Sequence, residues 1–167
     1  MKAWIEKNGL WLSLIPVLLI MIMIFCFSAQ DGGESGALSG GMVVWLVERI
    51  VPGFAGMPPA QQESIRSTLG FILRKSAHFS EYALLGFFLL LHVRQIGTRI
   101  LVKAPYLWAW VVGTLYAVTD ELHQMFVPGR GPAVRDVCID SAGVAAGAAL
   151  LCLILQIHTC NSNKRKL

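Results

Sequence analysis

Charge is scarce in this chain. Only 14% of its 167 residues are Asp, Glu, Lys or Arg, while 55% are hydrophobic, a balance far from that of ordinary soluble domains, in which roughly a quarter of the residues are charged. A typical water-soluble domain is excluded on that ground. No segment repeats another, which counts against a transporter built from two related halves. The cysteines Cys26, Cys138, Cys152 and Cys160 lack any CxxC or Cys/His metal spacing, and three of them lie in or beside apolar runs, where a thiol behaves as a small hydrophobe. No Ser-Gly-His occurs, so the membrane lipid phosphatases that use it are not expected. The net charge of +4 would suit a nucleic-acid partner in a soluble protein. Here the basic residues sit in short clusters beside apolar runs, as membrane proteins use them to set orientation, and no nucleic-acid partner is expected.

What is present is a series of apolar runs of helical length. Residues 10–27 carry no charge, with only Ser13 and Cys26 as mild interruptions, and as helix they cross roughly 27 Å. A cleaved signal peptide is the alternative, because Lys2 and Lys7 precede the run and Cys26-Phe27-Ser28 offers a cleavage site, but the apolar core exceeds the usual signal length. Phe25 stands before Cys26 where a lipoprotein needs a small residue. A second span, about 77–93, is harder to see because it carries His78, Ser80, Glu81, Tyr82 and His92. Its helix is predicted to begin much earlier, since Pro58 and Pro59 suit a first turn and only Gly70 and Gly86 interrupt the helix-compatible residues from Ala60 to His92. A third span, about 105–119, opens on Tyr106, Trp108 and Trp110, read as an interfacial aromatic belt. The fourth, about 137–157, contains Gly143 and Gly147 with Ala146 beside them, a GxxxG face read as ordinary small-residue packing.

Basic residues in the short connections give the orientation. Lys2 and Lys7, then Arg94, Arg99 and Lys103, then Lys164, Arg165 and Lys166 mark three cytoplasmic segments, with both termini inside a multi-pass protein of the cell membrane. Residues 28–76 and 120–136 mix acids with bases and are expected to face outward. Within the first of these, residues 31–41 are rich in Gly and Ser and read as a flexible loop. Residues 42–51, with eight large apolar side chains beside Glu48 and Arg49, read as a short helix that lies on the membrane surface or packs as a lid. The expected fold is an all-α integral membrane four-helix bundle in a single domain covering residues 1–167, with that additional helix in the first outer loop.

Counting helical rise from the cytoplasmic ends places the polar residues in one layer. His78 lies about 22 Å up, Glu81 about 18 Å, Asp120 about 22 Å and Asp140 about 25 Å. In the outer part of a hydrocarbon core about 30 Å thick, an uncompensated charge costs a few kcal/mol and needs a partner or a wet pocket. Lys75, His78 and Tyr82 form one stripe, with Glu81 three beyond His78. Asp120 faces as His123 and Gln124 do, Glu121 faces as Gln124 does, and Asp136 and Asp140 share a face. Residues 127–130, Val-Pro-Gly-Arg, read as a tight turn carrying the Arg130 guanidinium.

Three readings of this layer stand open. The cations Lys75, Arg130 and Arg135 simply neutralise Glu81, Asp120, Glu121, Asp136 and Asp140. Alternatively the layer binds an anionic or zwitterionic head group of a membrane lipid or cell-wall precursor, with Arg130 and Lys75 as donors. Or it reacts, with His78 or His123 as base beside carboxylates, or a metal held by His78, Glu81 and His123; that His-Glu pair is not HExxH, which makes the metal signal modest. The pattern names no cofactor.

The motifs carry a resemblance. Phe27-Ser28-Ala29-Gln30, Arg74-Lys75-Ser76-Ala77-His78-Phe79-Ser80-Glu81-Tyr82 with Leu85-Gly86, Asp120-Glu121-Leu122-His123-Gln124 with Phe126, Pro128-Gly129-Arg130, and Asp136 with Asp140 and Gly143 together resemble the VanZ-like family. That family is bacterial and named for a protein linked to teicoplanin resistance. The resemblance implies an envelope membrane protein whose site draws on Gln30, Lys75, His78, Glu81, Tyr82, Asp120, Glu121, His123, Gln124, Arg130, Asp136 and Asp140. It leaves the reaction open.

Overall fold

The computed structural model describes residues 2–30, 32–96 and 103–164, and among them the chain is all helix and turn. Five α-helices follow one another: α1 Lys2–Ser28, α2 Gly32–Ile50, α3 Pro59–Ile96, α4 Pro105–Gln124 and α5 Val134–Lys164, with a 3-10 turn at Phe54–Gly56 before α3. Three of them contain stretches long and apolar enough to cross a membrane: Gly9–Ser28, Pro59–Ile96 and Val134–Ser162. The α4 helix is not one of these, because its aromatic and acidic residues dilute its apolar character. Around α1 and α5 large apolar side chains stay uncovered, among them Trp11, Leu19, Ile22, Leu153 and Ile157. Helices apolar all round suit a hydrocarbon solvent.

As the prolines predict, α3 begins at Pro59. Its 38 residues run about 57 Å, far more than a bilayer core needs. The helices α1 and α4 run opposite to α3 and α5. Ser13 of α1 meets His92 of α3 at one end, with Oγ 2.9 Å from Nδ1, whereas Ser28 meets Asp120, and Lys75 meets Asp136, at the other. A buried core of Ile20 and Ile24, Leu85 and Leu89, Ala117, and Val144 and Ala148 joins all four.

The Gly143/Gly147 face carries more than ordinary packing. A Cβ on Gly147 would fall on the Ala83 carbonyl oxygen, one on Gly143 would press against the Phe79 carbonyl, and one on Gly86 would strike the Val144 backbone. Bare backbone therefore meets bare backbone between α3 and α5, the close approach that small-xxx-small faces permit. Tyr106 also ties two helices together. Its hydroxyl donates to the Ala145 carbonyl at 2.8 Å, and α5 continues well past that point to Lys164. The start of α4 thus lies part-way along α5, and Tyr106 serves a helix–helix contact.

Residues 32–41, read from their Gly and Ser as flexible loop, are the first half of α2. The second half explains this. Val43, Val47 and Phe54 are buried in a small separate core against Ile65, Leu69 and Leu73 of α3, and once packing has nucleated a helix each added residue costs little. Met42, Trp45 and Ile50 of α2 remain exposed, with the Arg49 guanidinium 4.6 Å from the Trp45 ring centre.

Candidate functional site

Where α1 and α4 end, three side chains close a hydrogen-bonded knot away from solvent. Ser28 Oγ donates to Asp120 Oδ2 at 2.7 Å, and Gln124 Nε2 donates to Ser28 Oγ at 3.1 Å and to the same carboxylate oxygen at 3.2 Å. The spacing of Asp120 and Gln124 is one helical turn, so a single face of α4 supplies both. Ser28, Asp120 and Gln124 are all buried, as are Tyr82 and Asp140 nearby in the core. The buried Tyr82 hydroxyl of α3 faces the Asp120 carboxylate beside the knot, which brings a third helix to the same place.

Beside this knot lies a cavity of about 210 Å³, lined by Phe71, Arg74, Lys75, His78, Gln124, Gly129, Arg130, Gly131 and Asp136. Lys75 Nζ donates to Asp136 Oδ2 at 2.5 Å, tying α3 to the first turn of α5. Arg135 reaches the other oxygen of Asp136 at 3.8 Å and stacks its guanidinium on Phe71. His78 Nδ1 is buried without a partner among the described residues. The residues 127–130 form the tight turn read from Val-Pro-Gly-Arg: the Arg130 amide donates to the Val127 carbonyl at 3.2 Å, and Gly129 has φ 74°. Positive φ at the third turn position is the type II geometry that favours glycine there. Glu121 fixes the far side of this loop, its Oε1 accepting the Ala133 amide at 2.6 Å. Arg130 is thereby held over the cavity, with one guanidinium nitrogen 3.4 Å from the Phe27 carbonyl of α1.

Of the residues named from sequence, Lys75, His78, Gln124, Arg130 and Asp136 line the cavity, and Asp120 joins it through Gln124. Tyr82 and Asp140 are buried in the core, and Glu81 lies within the electrostatic reach of Asp120 and Arg130. Glu121 holds the loop. Two residues stand apart: Gln30 sits in the turn after α1, and His123 stacks on Phe25 of α1, with ring centres 4.5 Å apart. His78, Glu81 and His123 do not gather as metal ligands, and no three His, Cys, Asp or Glu side chains among the described residues do. Ser28 and Arg74 also belong to the site. Spacing alone does not single them out, although both stand in the sequence motifs. The signal for Ser28 is a hydroxyl at the very end of an otherwise apolar span.

Residues 13–155 match the model of the VanZ/LLP1 family. The chain belongs to that family. No curated protein and no solved structure matches it. The match covers α1 from Ser13 onward, all of α2 to α4 and most of α5, so the knot and the cavity both fall inside the family region.

Proposed function

We propose that this VanZ/LLP1 protein is a multi-pass protein of the cell membrane that captures the anionic head group of a lipid or cell-wall precursor in its polar cavity, on the outer side. The observation that carries this reading is the lining of the cavity: Arg74, Lys75 and Arg130 face it against the one lining carboxylate of Asp136, with Asp120, Glu121 and Glu81 behind Arg130. Lys75 is engaged by Asp136, which leaves Arg74 and most of the Arg130 donors for a ligand. Guanidinium groups match phosphate and carboxylate in a fork geometry, so an anion suits the place. A space of about 210 Å³ is below the usual 300–1,000 Å³ of a pocket that swallows a whole drug-sized ligand, and fits one head group better.

In this reading α4 is embedded with α1, α3 and α5 as the fourth helix of a membrane bundle. The basic clusters at the N-terminus, at Arg94 to Lys103 and at the C-terminus then lie in the cytoplasm, and the cavity opens to the cell-wall side. That position suits a contribution to glycopeptide or teicoplanin resistance through the precursor it holds. A second reading, a membrane-embedded hydrolase or transferase, draws on the unpartnered His78 Nδ1 at the cavity, since a general base needs a free ring nitrogen within reach of its substrate.

Purified protein in nanodiscs with and without anionic lipid tests the proposal. Binding that falls about tenfold or more with Arg130→Ala, while folding is kept, supports it. If Lys75→Ala, Asp136→Ala and Arg130→Ala all change thermal stability and none changes binding, the cations serve only the scaffold. A reporter fused at Gly56 is expected outside, and one at Gly97 inside; the opposite result overturns the orientation.

A further inference from the structure

On the outer face of the bundle, between α3 and the start of α5, lies a groove of about 400 Å³ that the head-group site does not use. Its two ends differ in chemistry. At one end stand Lys75 and Arg135, with their charged groups 5.6 and 4.9 Å from the Phe71 ring centre. At the other end are Ser76, Phe79, Ser80 and Ile139. Ser76 and Ser80 stand one turn apart on α3 and are the small residues of this lining. The Ser80 hydroxyl is spent on the Ser76 carbonyl of its own helix at 2.7 Å, so it presents no free proton to the groove.

The groove adjoins the polar cavity, because Phe71 and Lys75 line both. Only the width of those side chains separates the two spaces. In the orientation proposed above, α3 and α5 both enter the membrane from the outer side. Counted from Val93, Phe71 and Lys75 stand about 33 and 27 Å up, at the edge of a core about 30 Å thick, and Ser80 about 20 Å up, within the outer leaflet. Along α5 the order is the same, with Arg135 outermost and Ile139 one turn deeper. Cations at the surface above an apolar recess match the polarity of an outer-leaflet phospholipid, whose phosphate lies above its chains. A soluble ester has nothing to place in that recess.

We infer that the groove is the chain subsite of the polar cavity, so that the ligand is a phospholipid held by its head group and an acyl chain together. The inference rests on the anion-binding reading and adds the second half of the ligand to it. A chain that moves from bilayer to groove gains no hydrophobic burial, since one apolar medium replaces another. What it gains is packing, and a covalent tie to a head group already held. Lipid that merely surrounds the protein has no such tie.

The test uses the full chain in phosphatidylcholine nanodiscs and two probes that share one phosphate ester, phosphatidic acid in the bilayer and glycerol phosphate in solution. Ser80 is exposed and lies outside the polar cavity, so Ser80→Leu fills the recess without touching the head-group site. The expected result is phosphatidic acid binding about fivefold weaker or more in Ser80→Leu, with glycerol phosphate binding within about twofold of the wild type. Phosphatidic acid with a photoreactive group on its chain gives an independent reading on the wild type. Its crosslinks are expected to concentrate at residues 76–80 and at Ile139, and to lose that concentration in Arg130→Ala. Equal phosphatidic acid binding by the wild type and Ser80→Leu, or wild-type crosslinks spread evenly over the exposed faces of α1 and α5, overturns the inference; glycerol phosphate binding then leaves the anion reading standing. Failure of both probes to bind the wild type overturns the anion reading itself. Should Ser80→Leu fold poorly, the wild-type crosslinks decide.

Discussion

Gly147 packs its bare Cα against the carbonyl of Ala83, at a point where a Cβ would overlap the oxygen. This contact sets how closely α5 lies along α3. Lys75 and Asp136 lie on those same two helices, at the polar end, so one interface carries both the glycine contact and the ion pair.

Gly147→Ala is expected to push the two helices apart and lower stability by about 1–3 kcal/mol, the usual cost of overpacking a close interface. Thermal unfolding in detergent checks this, with Gly41→Ala as control. Gly41 has open space where a Cβ would stand, and alanine there is expected to be neutral or slightly stabilising, since it is the better helix former. Equal melting points for Gly147→Ala and the wild type would show that the interface gives way at no cost.

How far these contacts are legible in the sequence differs from one element to the next. The α3 start at Pro59 and the Gly129 turn are readable because backbone rules act locally: proline fits a first turn, and a type II turn needs positive φ. The shared polar layer is readable because helical rise is constant. What cannot be read is the choice among neighbours on one face. Asp120 stands three residues from His123 and four from Gln124, so spacing gives both as companions. The structure turns Gln124 to Asp120 and Ser28, and His123 to Phe25. That choice depends on a residue 92 positions away in sequence from Asp120. The helical state of residues 32–41 is hidden likewise, because Val43 and Val47 dock on a distant part of α3 and the glycines follow.

Glu121 is buried, with its carboxylate on the Ala133 amide, and this bond fastens the loop that carries Arg130. Removing it in Glu121→Ala leaves a backbone donor without its partner, at a cost of about 1–3 kcal/mol. The loop is then expected to open more often, and trypsin cleavage after Arg130 to speed up by about tenfold or more. Glu121→Gln keeps an acceptor oxygen and is expected to fall between the two. A cleavage rate the same in all three proteins would mean that the loop is held by other contacts.

The two histidines give the sharpest separation between site and scaffold. His78 lines the cavity, whereas His123 presents its ring face to Phe25; in both rings Nδ1 is buried without a partner among the described residues, so what distinguishes them is where the ring lies. A stack needs a flat ring and makes no demand on its nitrogens, so phenylalanine in place of His123 preserves what the structure shows that side chain doing. At position 78 the same substitution removes the nitrogen and puts an apolar edge into a cavity built of guanidinium, ammonium and carboxylate groups, which costs those groups solvation. His123→Phe is therefore expected to keep head-group binding within about twofold of the wild type, and His78→Phe to weaken it by about tenfold or more, with both proteins inserting into the membrane. Binding measured in nanodiscs alongside thermal stability decides the matter. Equal losses at the two positions would join His123 to the site despite its stack, and would mean that the helix end shifts from the arrangement seen here when ligand arrives. Loss at His123 alone would take the ligand to the Phe25 side of α4 and away from the cavity.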